Sequence, residues 1–152
     1  MIFEILTIIN INLKAVWHFS NITAKDMSDR NINGSIINLS STVANRTRLG
    51  NPMYGIAKAA VASLTQKLSL EYSKYKIRVN AIAPGFFETD INRNFLHSPL
   101  GKETITRTVP LERTGNLSEL DGAIFLLSSN ASSYMTGECI FIDGGYITNS
   151  IT

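Results

Sequence analysis

Apolar residues follow two rhythms along this chain, a period near 3.6 residues and short unbroken runs, and their alternation sets out the elements. From Glu4 to Asp29, residues Leu6, Ile9, Leu13, Val16, Trp17 and Ile22 keep the helical period, which predicts one long helix. Asn33-Gly34 ends it, and SIINL at 35–39 reads as a buried strand that stops at Ser40-Ser41. Asn51-Pro52 then opens a second helix, as cap and first-turn proline, that runs to about Tyr75. IRVNAIA, 77–83, is another buried strand, closed by Pro84-Gly85. A polar stretch from Glu88 to Pro110 has weak helical periodicity and suits a mobile cover. LSELDGAIFLLS, 117–128, predicts an amphipathic helix with Ser118 as its cap, and CIFID, 139–143, a last strand before Gly144-Gly145. Strands separated by helices imply a parallel sheet with helical crossovers.

Composition narrows the class. The 152 residues are 44% hydrophobic and 17% charged, enough for one domain that buries about 70% of its unfolded surface. A net charge of +2, scattered rather than clustered, gives no reason to expect nucleic acid or an anionic membrane as partner. Cys139 is alone and reads as a packed thiol, consistent with a reducing, cytoplasmic setting. Met1 to Ile9 is apolar but carries Glu4 and no basic leader, and no apolar run approaches the ~18 residues of a membrane span. His18 and His97 lack metal-ligand spacing, so no metal is expected.

Chemistry concentrates at the strand ends. In open parallel sheets ligands collect beyond the carboxyl ends of strands, where Ser41 and Pro84-Gly85 fall. Tyr54 and Lys58, one helical turn apart, share a face toward the same edge. A free phenol has a pKa of ~10; an ammonium at ~4 Å in an effective dielectric of ~20 would favour phenolate by ~4 kcal/mol, about three pKa units. That would prepare a tyrosine for acid-base work near neutrality. The Ser41 hydroxyl could hold a substrate oxygen while Tyr54 exchanges its proton, and hydride would need a nicotinamide, since no side chain carries it. Along the second helix, Ala57, Ala60, Val61, Leu64 and Leu68 form an apolar stripe beside that edge. Ala59, Ala62, Ser63 and Gln66 make a separate face of mostly small residues, open to another helix or to solvent.

Taken singly, Ser41 reads as a turn residue and Tyr54 with Lys58 as a surface pair. The ordered set is specific: INLSS, a serine thirteen residues before YGIAK, IRVNAIAPGFFETD and a late strand ending in DGG together resemble the short-chain dehydrogenase/reductase family from about Asn12 to Gly145. The resemblance implies an α/β fold, the C-terminal half of a Rossmann-like doubly wound parallel sheet, and an oxidoreductase that uses NAD or NADP on a secondary alcohol or ketone. It implies that Ser41 orients the substrate oxygen, Tyr54 is the general acid/base, Lys58 lowers its pKa and bonds the nicotinamide ribose, and Asn12 holds a water in a proton relay, with Asn10 the weaker match. Pro84 and Gly85 would let backbone approach the nicotinamide, Phe87 would offer a backbone contact, and Thr89 would bond the carboxamide or else cap the next helix. The stretch after Thr89 would be a substrate lid, whose Asn92, Arg93, His97 and Arg107 face substrate or, more simply, solvent. Members of the family pair helices equivalent to 4–29 and 52–75, so a homo-oligomer is expected.

The family's TG-x-x-x-G-x-G turn, the residue that selects NAD or NADP, and the NNAG segment are not in this sequence. They hold the pyrophosphate and adenosine. The expectation is therefore a single, N-terminally truncated domain, residues 1–152, that addresses the nicotinamide half alone and leaves the SIINL strand with an unpaired edge. A non-catalytic fragment or assembly partner of intact subunits is the competing expectation.

Overall fold

A computed structural model describes residues 2–46, 50 and 52–149, so the expected cap at Asn51 lies outside the described residues. Three strands, β1 (Ser35–Leu39), β2 (Arg78–Pro84) and β3 (Cys139–Ile142), form a parallel sheet in that order. Its register pairs Ser35 with Arg78 and Ala81 with Cys139. The second strand begins and ends one residue later than its apolar run predicts, because Pro84 still pairs with Ile142 while Ile77 stays in the preceding turn. β2 is the central strand and is buried from Val79 to Ala83, as a strand covered on both faces should be. β1 is an edge strand, as expected.

The long first helix forms, with an interruption. α1 (Ile2–Ile9) passes through a π-helical turn at Asn10–Lys14 into α2 (Ala15–Asp29), and the Ala15 N–H donates to the Asn10 carbonyl five residues back. The residue added by such a turn rotates everything after it by about 100° relative to an uninterrupted helix. The predicted inward face is not the buried one: Leu6 is 52%, Trp17 46% and Ile22 64% exposed, while Ser20 and Ala24 are the buried residues of α2.

α3 (Pro52–Tyr72) is the second predicted helix, and its 3-10 continuation Ser73–Tyr75 reaches the predicted end. One core cluster joins Ala24 of α2 and Leu68 and Tyr72 of α3 to Ile36, Ile77 and Val79. Asn38, inside β1, ties the same layers: Ser20 Oγ donates to Asn38 Oδ1 at 3.1 Å, and Asn38 Nδ2 donates to Thr65 Oγ1 at 3.0 Å. The other face of the sheet carries α6 (Asp121–Ser128), where Ser35 Oγ and the Arg78 guanidinium both donate to the Leu127 carbonyl. Between β2 and α6, residues 88–110 fold into α4 (Arg93–His97) and α5 (Pro99–Thr108). These have a core of their own, Leu96, Ile105, Val109 and Tyr146 with Phe86 and Phe95 against it.

The cap ahead of α6 is Asn116 rather than Ser118, because Asn116 completes a capping box with Glu119 over a 3-10 turn at Leu117–Leu120. Glu119 Oε2 accepts from the Asn116 N–H at 2.7 Å, and both Glu119 oxygens accept from Arg113 at 2.7 Å. The Arg113 hydrogen bonds first, and then the Asn116 N–H, hold the Glu119 carboxyl down at about 2. Among the described residues no helix is long and apolar enough to cross a membrane.

Two outcomes follow from these contacts. Asn38→Ala leaves buried partners unsatisfied and should cost about 1–3 kcal/mol in chemical denaturation; an unchanged midpoint would show that the network carries no stability. A carboxyl whose folded pKa is depressed stabilises the fold above its unfolded value and loses that contribution as pH falls through the folded one. Arg113→Gln should therefore move the Glu119 titration, followed by carboxyl NMR, from about 2 toward the ordinary range and flatten the loss of stability below it.

Candidate active site

The end of β1 and the second turn of α3 are bolted together by two hydrogen bonds. Ser40 Oγ donates to the Lys58 carbonyl at 2.9 Å, and Lys58 Nζ donates to the Leu39 carbonyl, also at 2.9 Å. The next residue, Ser41, has extended backbone and caps the short turn Thr42–Ala44, its Oγ accepting from the Val43 N–H at 3.4 Å. α3 lies close against that turn at Gly55, where an added Cβ would sit at an ordinary contact distance of 3.4 Å from the Val43 carbonyl oxygen. The Tyr54 side chain is thereby hydrogen-bonded to Ser41.

Ser41, Tyr54 and Gly85 line one cavity of about 350 Å³, with Thr42, Val43, Phe86, Ile91, Asn92, Phe95 and Leu96. Lys58 lies beneath it, 6% exposed. Its charge does not act as the four-residue spacing suggests: Nζ turns to Leu39 and stands 5.6 Å from the centre of the Tyr54 ring. Burial pushes the Tyr54 phenol above its ordinary value, and the Ser41 hydrogen bond pulls it back only in part. Burial likewise lowers the Lys58 ammonium. The expected depressed phenol is therefore replaced by a raised one.

Gly85 is required by the neighbouring strand. Its N–H donates to the Ile142 carbonyl at 2.9 Å, and a Cβ would fall 2.7 Å from the Asp143 Cβ. Pro84 closes β2 outside the cavity lining. Phe87 is buried; its carbonyl already accepts from Asn92 Nδ2 at 2.8 Å, and its ring packs so closely on Gly115 that a Cβ there would meet it at 2.4 Å. Thr89 is exposed and its N–H donates to Asn92 Oδ1 at 2.8 Å; α4 has Asn92 at its N-cap position, so Thr89 does not cap it.

Asn12 sits in the π-helical turn, where its side-chain amide donates to the Ile8 carbonyl at 3.1 Å. With Lys58 donating to Leu39, no direct hydrogen bond joins Asn12 to the lysine; Asn10 is exposed. After Thr89, Arg93 Nε and His97 Nε2 each bond Glu88 at 2.8 Å, outside the cavity lining, and hold its carboxyl below the usual range. Arg107 is exposed as well. Burial raises the Cys139 thiol, as befits a packed one.

The supporting contacts of three residues, Asn92, Asp143 and Arg46, escaped the sequence reading. Asn92 clamps both Phe87 and Thr89. The Asp143 carboxylate accepts from the Gly145 and Ile147 N–H groups at 2.9 and 2.7 Å, which shapes the turn after β3, and the Arg46 guanidinium lies 4.3 Å over the Tyr146 ring beside it. DGG marks that turn chemistry, but Arg46 carries no local signal.

Residues 3–147 match the family model described as Enoyl-(Acyl carrier protein) reductase. A 3-oxoacyl-acyl-carrier-protein reductase of Thermotoga maritima is 38% identical over 140 residues, covering 92% of this chain and 56% of that protein. A crystal structure of a gluconate 5-dehydrogenase from Burkholderia cenocepacia, in complex with NADP and tartrate, superposes with a TM-score of 0.92 at 31% identity, over 96% of this chain and 57% of that one. A short-chain type dehydrogenase/reductase from Mycobacterium marinum gives 0.91 at 32%, over 98% and 58%. The chain thus spans little more than half the length of these relatives.

The raised phenol has a direct readout. Tyr54, followed by NMR of ring-labelled tyrosine, should titrate above ~10, and Ser41→Ala should move it higher still; a midpoint below ~10 would contradict the geometry. A phenol raised in the folded state leaves stability intact below ~10 and withdraws it as pH climbs through the folded value.

Proposed function

The chain belongs to the short-chain dehydrogenase/reductase family, and from that premise we propose that it is the catalytic part of an oxidoreductase acting on a secondary alcohol or ketone with NAD or NADP. The observation that carries the reading is the convergence of Ser41 and Tyr54 on one cavity with Lys58 buried beneath. When bound, the nicotinamide supplies or accepts the hydride.

The Ser41 hydroxyl holds the substrate oxygen in place, and the Tyr54 phenol gives that oxygen its proton as a ketone is reduced or takes it as an alcohol is oxidised. Lys58 holds the strand end against α3 and offers an ammonium group to the ribose. Gly85 lines the cavity at this strand end, which is where a flat ring would lie. Pro84, the Phe87 backbone and Thr89 border the same edge, and Asn12 feeds protons from the π-helical turn. These residues fit the nicotinamide end of the cofactor. Self-association through α1–α2 and α3 belongs to the same reading, supported by the exposure of Phe3, Ile11, Ile56 and Leu70 on those helices.

The second reading is a non-catalytic partner of full-length subunits. Cofactor titration separates the two. Saturable quenching of NADH or NADPH fluorescence by the purified chain supports the enzyme, and none at millimolar cofactor supports the partner. In an active preparation Tyr54→Phe should lower turnover by about a hundredfold or more while leaving cofactor affinity unchanged; retained turnover would remove Tyr54 from the proton path.

A further inference from the structure

One hydrogen-bonding pair beside the cavity is filled by the chain itself. Asn92 Nδ2 donates to the Phe87 carbonyl at 2.8 Å, and Asn92 Oδ1 accepts from the Thr89 N–H, also at 2.8 Å. A backbone N–H can only donate and a carbonyl only accept, so these partners fix which way round the Asn92 amide lies. The loop from Phe87 to Thr89 thus presents a donor and an acceptor spaced for a primary carboxamide, and it holds one. Asn92 lines the cavity with Gly85 and Phe86, whereas Phe87 and Thr89 are not part of its lining. The side chain therefore stands between the cavity and the two groups it occupies. Asn92 is also at the N-cap position of α4, where asparagine is among the preferred residues, yet it makes no side-chain cap there. Its amide is turned to the loop instead.

Resting on the oxidoreductase reading above, we propose that Asn92 is an internal stand-in for the amide of the cofactor and holds the loop shut against it. A nicotinamide carries the same group, a primary carboxamide on a flat ring, so the Phe87 carbonyl and the Thr89 N–H become free for it only after Asn92 has left them. The exchange is even in hydrogen bonds: two are broken and the same two are remade, while the released Asn92 amide turns to water or to the uncapped start of α4. Its effect is on populations. Only molecules whose Asn92 has swung out offer the pair, and the apparent affinity falls by that fraction. The contact is autoinhibitory: it keeps both backbone groups satisfied in the free chain, and a ligand without a nicotinamide leaves it in place.

The test measures binding rather than turnover, by quenching of NADH and NADPH fluorescence and by NMR of the isotope-labelled full chain. Asn92→Ala should bind NADH or NADPH about tenfold more tightly than the unaltered chain, and ADP-ribose, which lacks the nicotinamide, should gain nothing. Unchanged or weaker binding by a variant that melts as its parent does, or an equal gain for ADP-ribose, overturns the proposal and makes Asn92 a plain clamp of the loop. In the unaltered chain, cofactor should shift the Asn92 side-chain NH2 signals and the Thr89 amide together and saturably. Cofactor that binds and leaves the Asn92 signals in place overturns the proposal as well, and this measurement stands even where Asn92→Ala does not fold. Absence of binding to both proteins sinks the oxidoreductase reading and the proposal with it, whereas equal binding to both removes the proposal alone.

Discussion

A buried ammonium group donating to a strand-terminal carbonyl holds this site together. Lys58 is nearly inaccessible, and a charge there would be costly without a strong acceptor. The Leu39 carbonyl, the last of β1, is that acceptor, and Ser40 returns the contact by donating to the Lys58 carbonyl. The pair fixes where α3 meets the sheet and therefore where Tyr54, one turn earlier, meets Ser41. The geometry of the cavity and strand-helix packing are one constraint here, which is why the lysine's influence on the phenol is positional more than electrostatic.

The same economy links the site to its cover. Gly85 and Asp143, at the ends of β2 and β3, are in contact, and the Asp143 turn leads directly to Tyr146, which sits in the core of the lid. Phe86, a wall of the cavity, packs edge-on against Tyr146 with ring centres 5.1 Å apart. Any shift of α4 and α5 is thus felt at the cavity wall, while Asn92 holds the loop from Phe87 to Thr89 to the start of α4. Rigid strand ends with an independently packed cover suit a site that must admit and then enclose a ligand.

Local spacing made much of this legible. The serine at a strand end and the tyrosine and lysine at i, i+4 are short-range patterns, and the structure brings all three together; the parallel order of strands likewise followed from apolar runs separated by helical periods. What stayed hidden depended on partners distant in sequence or on backbone detail. The π-helical turn at Asn10–Lys14 has no composition cue, and nothing local marks that α2 buries Ser20 against Asn38 while Trp17 and Ile22 stay exposed. Ser118 looked like a cap, but the choice was made by Glu119 reaching back to Asn116. The direction of the Lys58 side chain could not be read at all, since spacing says which residues share a face and not which acceptor wins.

That last point bears on the charge state of the phenol. A phenol raised by burial keeps its proton at neutral pH. Its anion would be favoured by a positive charge closer to the ring than the present 5.6 Å of Lys58. Moving the ammonium toward Tyr54 would release the Leu39 carbonyl and loosen the joint between β1 and α3. The contact that builds the site is therefore also the one that holds the ammonium away from the phenol.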